Sequence, residues 1–225
     1  MAIIAAASSK GGVGKSTTTF NLAVLSSQHH KTVLVDGDHR QRSCFKLNAL
    51  REQNGLQPLE MRVAGGPSFG NTLLELSKEF EHVIVDVAGN DNTELRQILL
   101  VGDRILVPTQ ATQLDMQELP EILEHVIHVE QEFGRRPQVN ILINRAETNV
   151  FTRSWEKALD LIEQVPALRE YMPPIEAMLF DRPAYREAAE KGMSVVELDG
   201  HRVGDVKAAD EIRRLYQLIA GANRK

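Results

Sequence analysis

The feature that most constrains this chain lies at its start. An apolar run, Ala2-Ile3-Ile4-Ala5-Ala6-Ala7, leads directly into Ser9-Lys10-Gly11-Gly12-Val13-Gly14-Lys15-Ser16-Thr17. The run has the length of a strand, and the residues from Lys15 onward read as a helix over 15–28. Ser9 to Ser16 fits the pattern G-x-x-x-x-G-K-[ST] everywhere except its first position, where Ser9 stands for glycine. Glycines at 11, 12 and 14 let the backbone turn sharply and present successive N–H groups to phosphate oxygens. The following helix adds its N-terminal dipole. Lys15 is placed to reach the β- and γ-phosphates, and Ser16 to hold Mg²⁺ through its hydroxyl. Gly11, Gly12, Val13, Gly14, Lys15, Ser16 and Thr17 are therefore the expected nucleotide-binding residues.

The rest of the chain supplies a matching architecture. Short apolar runs at 2–7, 32–36, 82–87, 104–108 and 138–143 lack polar–apolar alternation. That is the pattern of strands buried on both faces of a parallel sheet. Further strands are expected at 57–63 and 175–179. Helices are expected near 15–28, 40–52, 70–79, 92–101, 114–133, 153–164, 183–191 and 205–220. In 114–133, Leu119, Ile122, Val126, Val129 and Phe133 recur at helical steps on one face, with Gly134 as a C-terminal cap. The expected fold is α/β, a doubly wound, mostly parallel sheet flanked by helices, as a single domain over residues 1–225. In such sheets ligands bind beyond the carboxyl ends of the strands.

Two further acidic motifs sit at such ends. Strand 32–36 closes on Asp36-Gly37-Asp38, and strand 82–86 on Asp86, followed by Val87-Ala88-Gly89. Carboxylates at the mouth of a phosphate site hold Mg²⁺ and its waters, or orient an attacking water. Ser16, Asp36 and Asp86 are the expected metal residues. Gly89 would let the loop N–H approach the γ-phosphate.

The run K-G-G-x-G-K-[ST]-T resembles the deviant Walker A motif of the ParA/MinD ATPase superfamily. The resemblance implies ATP and Mg²⁺ as cofactors and weak, partner-stimulated ATP hydrolysis. It implies that Lys10 crosses an ATP-dependent homodimer to the partner's nucleotide while Lys15 acts in its own subunit. It places Asp38 near the hydrolytic water, making Lys10, Lys15 and Asp38 the catalytic set. It also places Asn144, with Arg145, at the adenine base. Pro108-Thr109-Gln110, Gln113-Leu114-Asp115 and, more weakly, Phe180-Asp181-Arg182-Pro183-Ala184-Tyr185 resemble other loops around that site.

The implied role is plasmid partition, with nonspecific DNA binding by the ATP dimer and release by a DNA-binding adaptor protein. Such a protein is cytoplasmic and nucleoid-associated when ATP-bound. The usual D-x-D-P-Q is replaced after Asp38 by His39-Arg40-Gln41. That change resembles the VirC1-type accessory proteins of DNA transfer, which position DNA or transfer complexes at the cell pole. A VirC1-like role is the alternative, as is an ATP-dependent clamp with little turnover. Other branches fit less well. The tail Ile219-Ala220-Gly221-Ala222-Asn223-Arg224-Lys225 breaks the amphipathic pattern of a membrane-binding helix, so no membrane partner is expected. Cys44 is the sole cysteine, which argues against an iron–sulfur relative and for a nonreactive packing residue.

The net charge of −5 opposes a global nucleic-acid footprint. Residues 201–225, however, carry six basic side chains against three acids. Any DNA contact is therefore expected from a local patch drawn from Arg182, Arg186, Lys191, Arg202, Lys207, Arg213 and Arg214, about half of them engaged. His125 and His128, three residues apart without a third ligand, read as a solvated helix face.

Overall fold

The computed structural model describes residues 1–38, 41–88, 92–112, 116–149 and 153–220. Seven strands form one sheet: β1 (Ala2–Ala6), β2 (Thr32–Asp36), β3 (Met61–Val63), β4 (His82–Asp86), β5 (Arg104–Thr109), β6 (Val139–Ala146) and β7 (Pro174–Phe180). Their order is β3-β2-β4-β1-β5-β6-β7, and every pairing is parallel.

Successive residues of one strand feed opposite cores. Ile3, Ala5, Val33, Val35, Val83 and Val85 point to one face. There α3 (Phe69–Glu79), α4 (Asn92–Val101), α5 (Leu119–Phe133), α6 (Ser154–Gln164) and α7 (Pro166–Tyr171) cover them. Ala2, Ile4, Leu34 and Ile84 point to the other face, under α1 (Lys15–Ser27), α8 (Pro183–Glu190) and α9 (Val203–Ala220). Both faces are apolar, which is why the strands show no alternation.

All seven expected strands are present, and the differences lie at element ends. The strand expected at 57–63 shrinks to the edge pairing Met61–Val63. β6 extends through Asn144 to Ala146, so Asn144 lies within the strand. The helix expected from residue 40 begins at Ser43, behind Arg42 in a left-handed conformation at φ 49. The helix expected over 114–133 gives α5 from Leu119, with proline in its first turn. Phe133, expected on its apolar face, is 54% exposed because it closes the last turn before the left-handed Gly134 cap. α7 went unread because Pro166 starts a short separate helix immediately after α6.

Register does the decisive work for the site. β4 lies between β1 and β2, with Asp86 opposite both Ala6 and Asp36. The glycine loop after β1 and the acids ending β2 and β4 therefore converge at one edge.

Candidate phosphate-binding site

The glycine loop runs from Ser9 to Gly14 and opens α1. Gly12 and Gly14 sit in the left-handed region at φ 80 and 97. A Cβ on Gly14 would also fall 2.1 Å from Asn144 Nδ2. Gly14 occupies the N-cap of α1 with no side-chain cap, and the first turn carries no acid. The first-turn N–H groups are thus left for an anion.

Neighbouring residues brace the loop. Ser9 Oγ donates to Glu118 Oε2 at 3.0 Å, a bond that glycine at this position could not make. The Lys10 N–H donates to Ser8 Oγ at 3.2 Å, and Gln110 Nε2 reaches Gly12 O at 3.5 Å. Val13 is buried, and its carbonyl accepts from Asn144 Nδ2 at 2.6 Å. Asn144 Oδ1 accepts the Arg145 N–H at 2.9 Å. Both ends of the Asn144 amide are therefore engaged by main chain. Asn144, the residue expected at an adenine base, braces the loop through these bonds.

Lys15 Nζ folds back onto Lys10 O at 2.7 Å. Burial pulls the Lys15 pKa down, while Asp86, Asp38 and Glu118 push it back up. Lys10 itself is half-buried at the lip of the loop.

The two strand-end acids differ in how they are used. Both carboxylate oxygens of Asp36 accept main-chain N–H: Oδ1 from Asp38 and Oδ2 from Phe45, each at 3.0 Å. Burial raises its pKa, and these N–H groups oppose the rise. Asp36, expected at the metal, here ties the Asp38 turn to the start of α2 (Ser43–Gln53).

Asp86 is 1% exposed. Its Oδ2 accepts the Cys44 thiol at 3.4 Å, while its Oδ1 has no hydrogen-bond partner among the described residues. Burial pushes its pKa up to about 6; the Ser16 hydroxyl, Cys44 and Lys15 hold it down and Asp36 adds to the rise. The Cys44 thiol is fully buried, and burial pushes its own pKa well up, so it serves as a donor rather than a nucleophile.

Gly11, Gly12, Gly14, Lys15, Ser16 and Asp86 line a cavity of about 620 Å³, together with Asp38, Ala88 and Glu94. Its far end is closed by Leu47, Leu50 and Ala189. Asp38 Oδ1 accepts the Gln41 N–H at 2.9 Å, which fixes its orientation. Glu94 was not legible beforehand. An acid in the first turn of a helix satisfies the dipole wherever it points, and only the tertiary fold turns it toward the cavity.

The donor set fits Mg²⁺. An orphaned buried carboxylate oxygen and a serine hydroxyl lie beside a phosphate-type loop. No group of three or more metal-ligating His, Cys, Asp or Glu side chains occurs among the described residues. Mg²⁺ commonly takes few protein ligands and completes its shell with phosphate and water.

Other expectations meet mixed placements. Gly89, His39, Arg40 and Gln113-Leu114-Asp115 lie outside the described residues. Among the basic candidates, Arg182 pairs with Glu211 at 2.6 Å, Arg213 with Asp210 at 2.9 Å and Arg214 with Glu176 at 3.6 Å. Arg202 is shared between Glu187 and Asp205. Arg186, Lys191 and Lys207 are exposed, with no ion pair among the described residues. His128 pairs with Glu132 at 2.8 Å on an exposed helix face.

Known proteins resemble this chain in sequence and in fold. The chain is 26% identical to protein virC1 of Rhizobium rhizogenes, covering 86% of this chain and 82% of that protein. It is 25% identical to maintenance of carboxysome distribution protein A of Gloeobacter kilaueensis, covering 92% and 89%. Among solved structures, the septum site-determining protein MinD of Pyrococcus horikoshii, complexed with Mg-ADP, superposes with a TM-score of 0.68 at 16% identity, covering 99% of this chain and 96% of that one. The family model for the VirC1 protein matches residues 1–213, and the chain belongs to that family, within the ParA/MinD superfamily of P-loop ATPases.

Proposed function

We propose that this protein is an ATP-gated switch that binds Mg²⁺–ATP, dimerises around it and hydrolyses it slowly. The observation that carries the reading is one cavity bordered by an uncapped α1 N-terminus, by Lys15 and by a buried Asp86 oxygen with no partner. The loop N–H groups and Lys15 bind the phosphates. Ser16 and Asp86 hold Mg²⁺, which supplies charge neutralisation between the phosphates when bound. Asp38, held by its bond to the Gln41 N–H, orients water. Lys10, at the loop's lip, acts on the nucleotide of a second subunit. Asn144 positions the loop.

Family membership favours a VirC1-like role, positioning DNA or a transfer complex, over plasmid partition. DNA contact then falls to the exposed Arg186, Lys191 and Lys207, with a protein adaptor supplying specificity. The protein acts in the cytoplasm, at the nucleoid when ATP-bound. No described helix is long and apolar enough to cross a membrane.

The test is calorimetry and steady-state turnover with Lys15→Gln. Removing a charge-assisted phosphate contact worth about 1.5–3 kcal/mol weakens ATP roughly 10- to 150-fold. Unchanged affinity would refute the assignment.

A further inference from the structure

Three carboxylates border the cavity: Asp38, Asp86 and Glu94. Glu94 stands in the first turn of α4 and is 3% exposed. Its Oε1 accepts the Gly66 N–H at 2.8 Å. Its Oε2 is buried with no hydrogen-bond partner among the described residues. An unpaired buried acceptor is costly and calls for an explanation, among them a bound water, an ion or a catalytic role. The turn around Gly66 does not need this second oxygen. Gln97, one turn later, donates Nε2 to Gly66 O at 2.9 Å and accepts the Gly70 N–H at 2.8 Å. A glutamine at position 94 would make the same bond to Gly66, yet the residue is an acid with an idle oxygen at the wall of the nucleotide cavity.

Position separates Glu94 from the metal-side acid. Asp86 has Ser16 and Lys15 as neighbours. Glu94 is tethered to Gly66, in the turn after edge strand β3, which pairs with β2, and lines the same cavity as Asp38, which follows β2.

We infer that Glu94 Oε2 accepts a hydrogen bond from the water that attacks the γ-phosphate, sharing that water with Asp38. The inference rests on the reading of the cavity as an ATP-hydrolysing site. In the reaction the water oxygen bonds to the γ-phosphorus as the bond to the β–γ bridging oxygen breaks. The electron pair of that bond stays on ADP, and the water's proton ends on the released phosphate. Glu94 takes no covalent part. By accepting one O–H it turns a lone pair of the water toward phosphorus.

The experiment compares Glu94→Gln, Glu94→Asp and Gln97→Ala with wild type by ATP turnover, ATP calorimetry and thermal melting. Glu94→Gln keeps the Gly66 bond and removes only the second acceptor. It is expected to lower kcat at least tenfold, with ATP affinity within threefold and a near-unchanged Tm. Gln97→Ala loosens the same turn without touching the acid and is expected to keep kcat within twofold. Should Glu94→Gln fail to fold, Glu94→Asp, which withdraws the carboxylate, is expected to show the same loss. Wild-type kcat in a folded Glu94 variant, or an equal loss in Gln97→Ala, overturns the role of Glu94 alone. ATP binding without turnover in the wild type overturns the hydrolytic reading and Glu94 with it.

Discussion

Asp36 and Asp86 face each other in register across β2 and β4, yet only Asp86 keeps an oxygen without a hydrogen-bond partner. The pair divides: Asp36 is spent on main-chain N–H groups, while Asp86 lines the cavity with one carboxylate oxygen unpaired among the described residues. Asp86→Asn should abolish the gain in nucleotide affinity that Mg²⁺ confers, leaving metal-free binding within threefold. Asp36→Asn should do the reverse. It replaces one of the two acceptor oxygens by an NH₂ donor, so either the Asp38 or the Phe45 N–H loses its partner, costing about 1–3 kcal/mol of stability, while Mg²⁺ still strengthens binding. Calorimetry with and without Mg²⁺, beside denaturant melts, separates the two.

Gly14 and Asn144 form a steric pair. Gly14→Ala meets two obstacles, the positive φ and the Asn144 amide. Nucleotide affinity should fall at least tenfold. Adding Asn144→Ala removes the clash but not the backbone strain, so the double variant should recover part of the loss. Full additivity of the two losses, measured by a double-mutant cycle, would contradict the contact.

The opposite end of the sheet carries a pH-sensitive cluster. His82 Nδ1 meets Ser26 Oγ at 2.8 Å and Tyr216 OH at 3.2 Å, and its ring lies against His30 at 4.2 Å. Burial, then His30 and the N-terminus, lower its pKa to about 4, with Glu81 opposing. The folded value lies below the ordinary 6.5, so between these pH values the unfolded chain binds more protons. This contribution is full above pH 6.5 and is lost as pH falls toward 4. Asp86, raised to about 6, acts in the opposite sense over the lower part of that window. His82→Gln removes the first effect alone. The stability gap between wild type and variant should narrow by roughly 1–2 kcal/mol from neutral pH to the bottom of the window, read by urea denaturation.

How much of this was legible follows from what each signal encodes. The glycine loop is a local pattern of backbone freedom and charge, so the gathering of the loop, Lys15, Ser16 and Asp86 at one cavity was legible in sequence, as were all seven strands. The division between Asp36 and Asp86 did not, because it depends on where the Phe45 and Asp38 N–H groups end up. Asn144 looked like a ligand contact because a polar residue near a strand end has no local partner to declare. Glu94 was silent, since only the tertiary fold brings it to the cavity, and the bond from the Cys44 thiol to Asp86 was equally invisible. Which of the seven basic candidates are paired within the fold was not legible. Counting charges along the chain cannot see that Glu211, Glu187 and Asp205 neutralise Arg182 and Arg202.

DNA binding, if carried by the remaining cations, has a defined salt signature. Arg186, Lys191 and Lys207 give six contacts in a dimer at most. With a logarithmic slope of about −0.9 per phosphate contact, the full slope should not exceed about −5 in magnitude. Substituting all three by Gln should flatten it, while Arg202→Gln should not. Gel shifts across salt concentrations with ATP or ADP provide the measurement. Binding that is equally tight with ADP would contradict control by dimerisation.

The central claim is that ATP closes two subunits around nucleotides held by Lys15 in one subunit and Lys10 from the other. Sedimentation velocity of the full chain with Mg²⁺–ATP tests it most directly, using Asp38→Ala to slow turnover. The account predicts a dimer with ATP, a monomer with ADP, and a monomer with ATP once Lys10→Ala is added, although that variant still binds ATP. A dimer of equal strength with ADP, or one indifferent to Lys10→Ala, would contradict it.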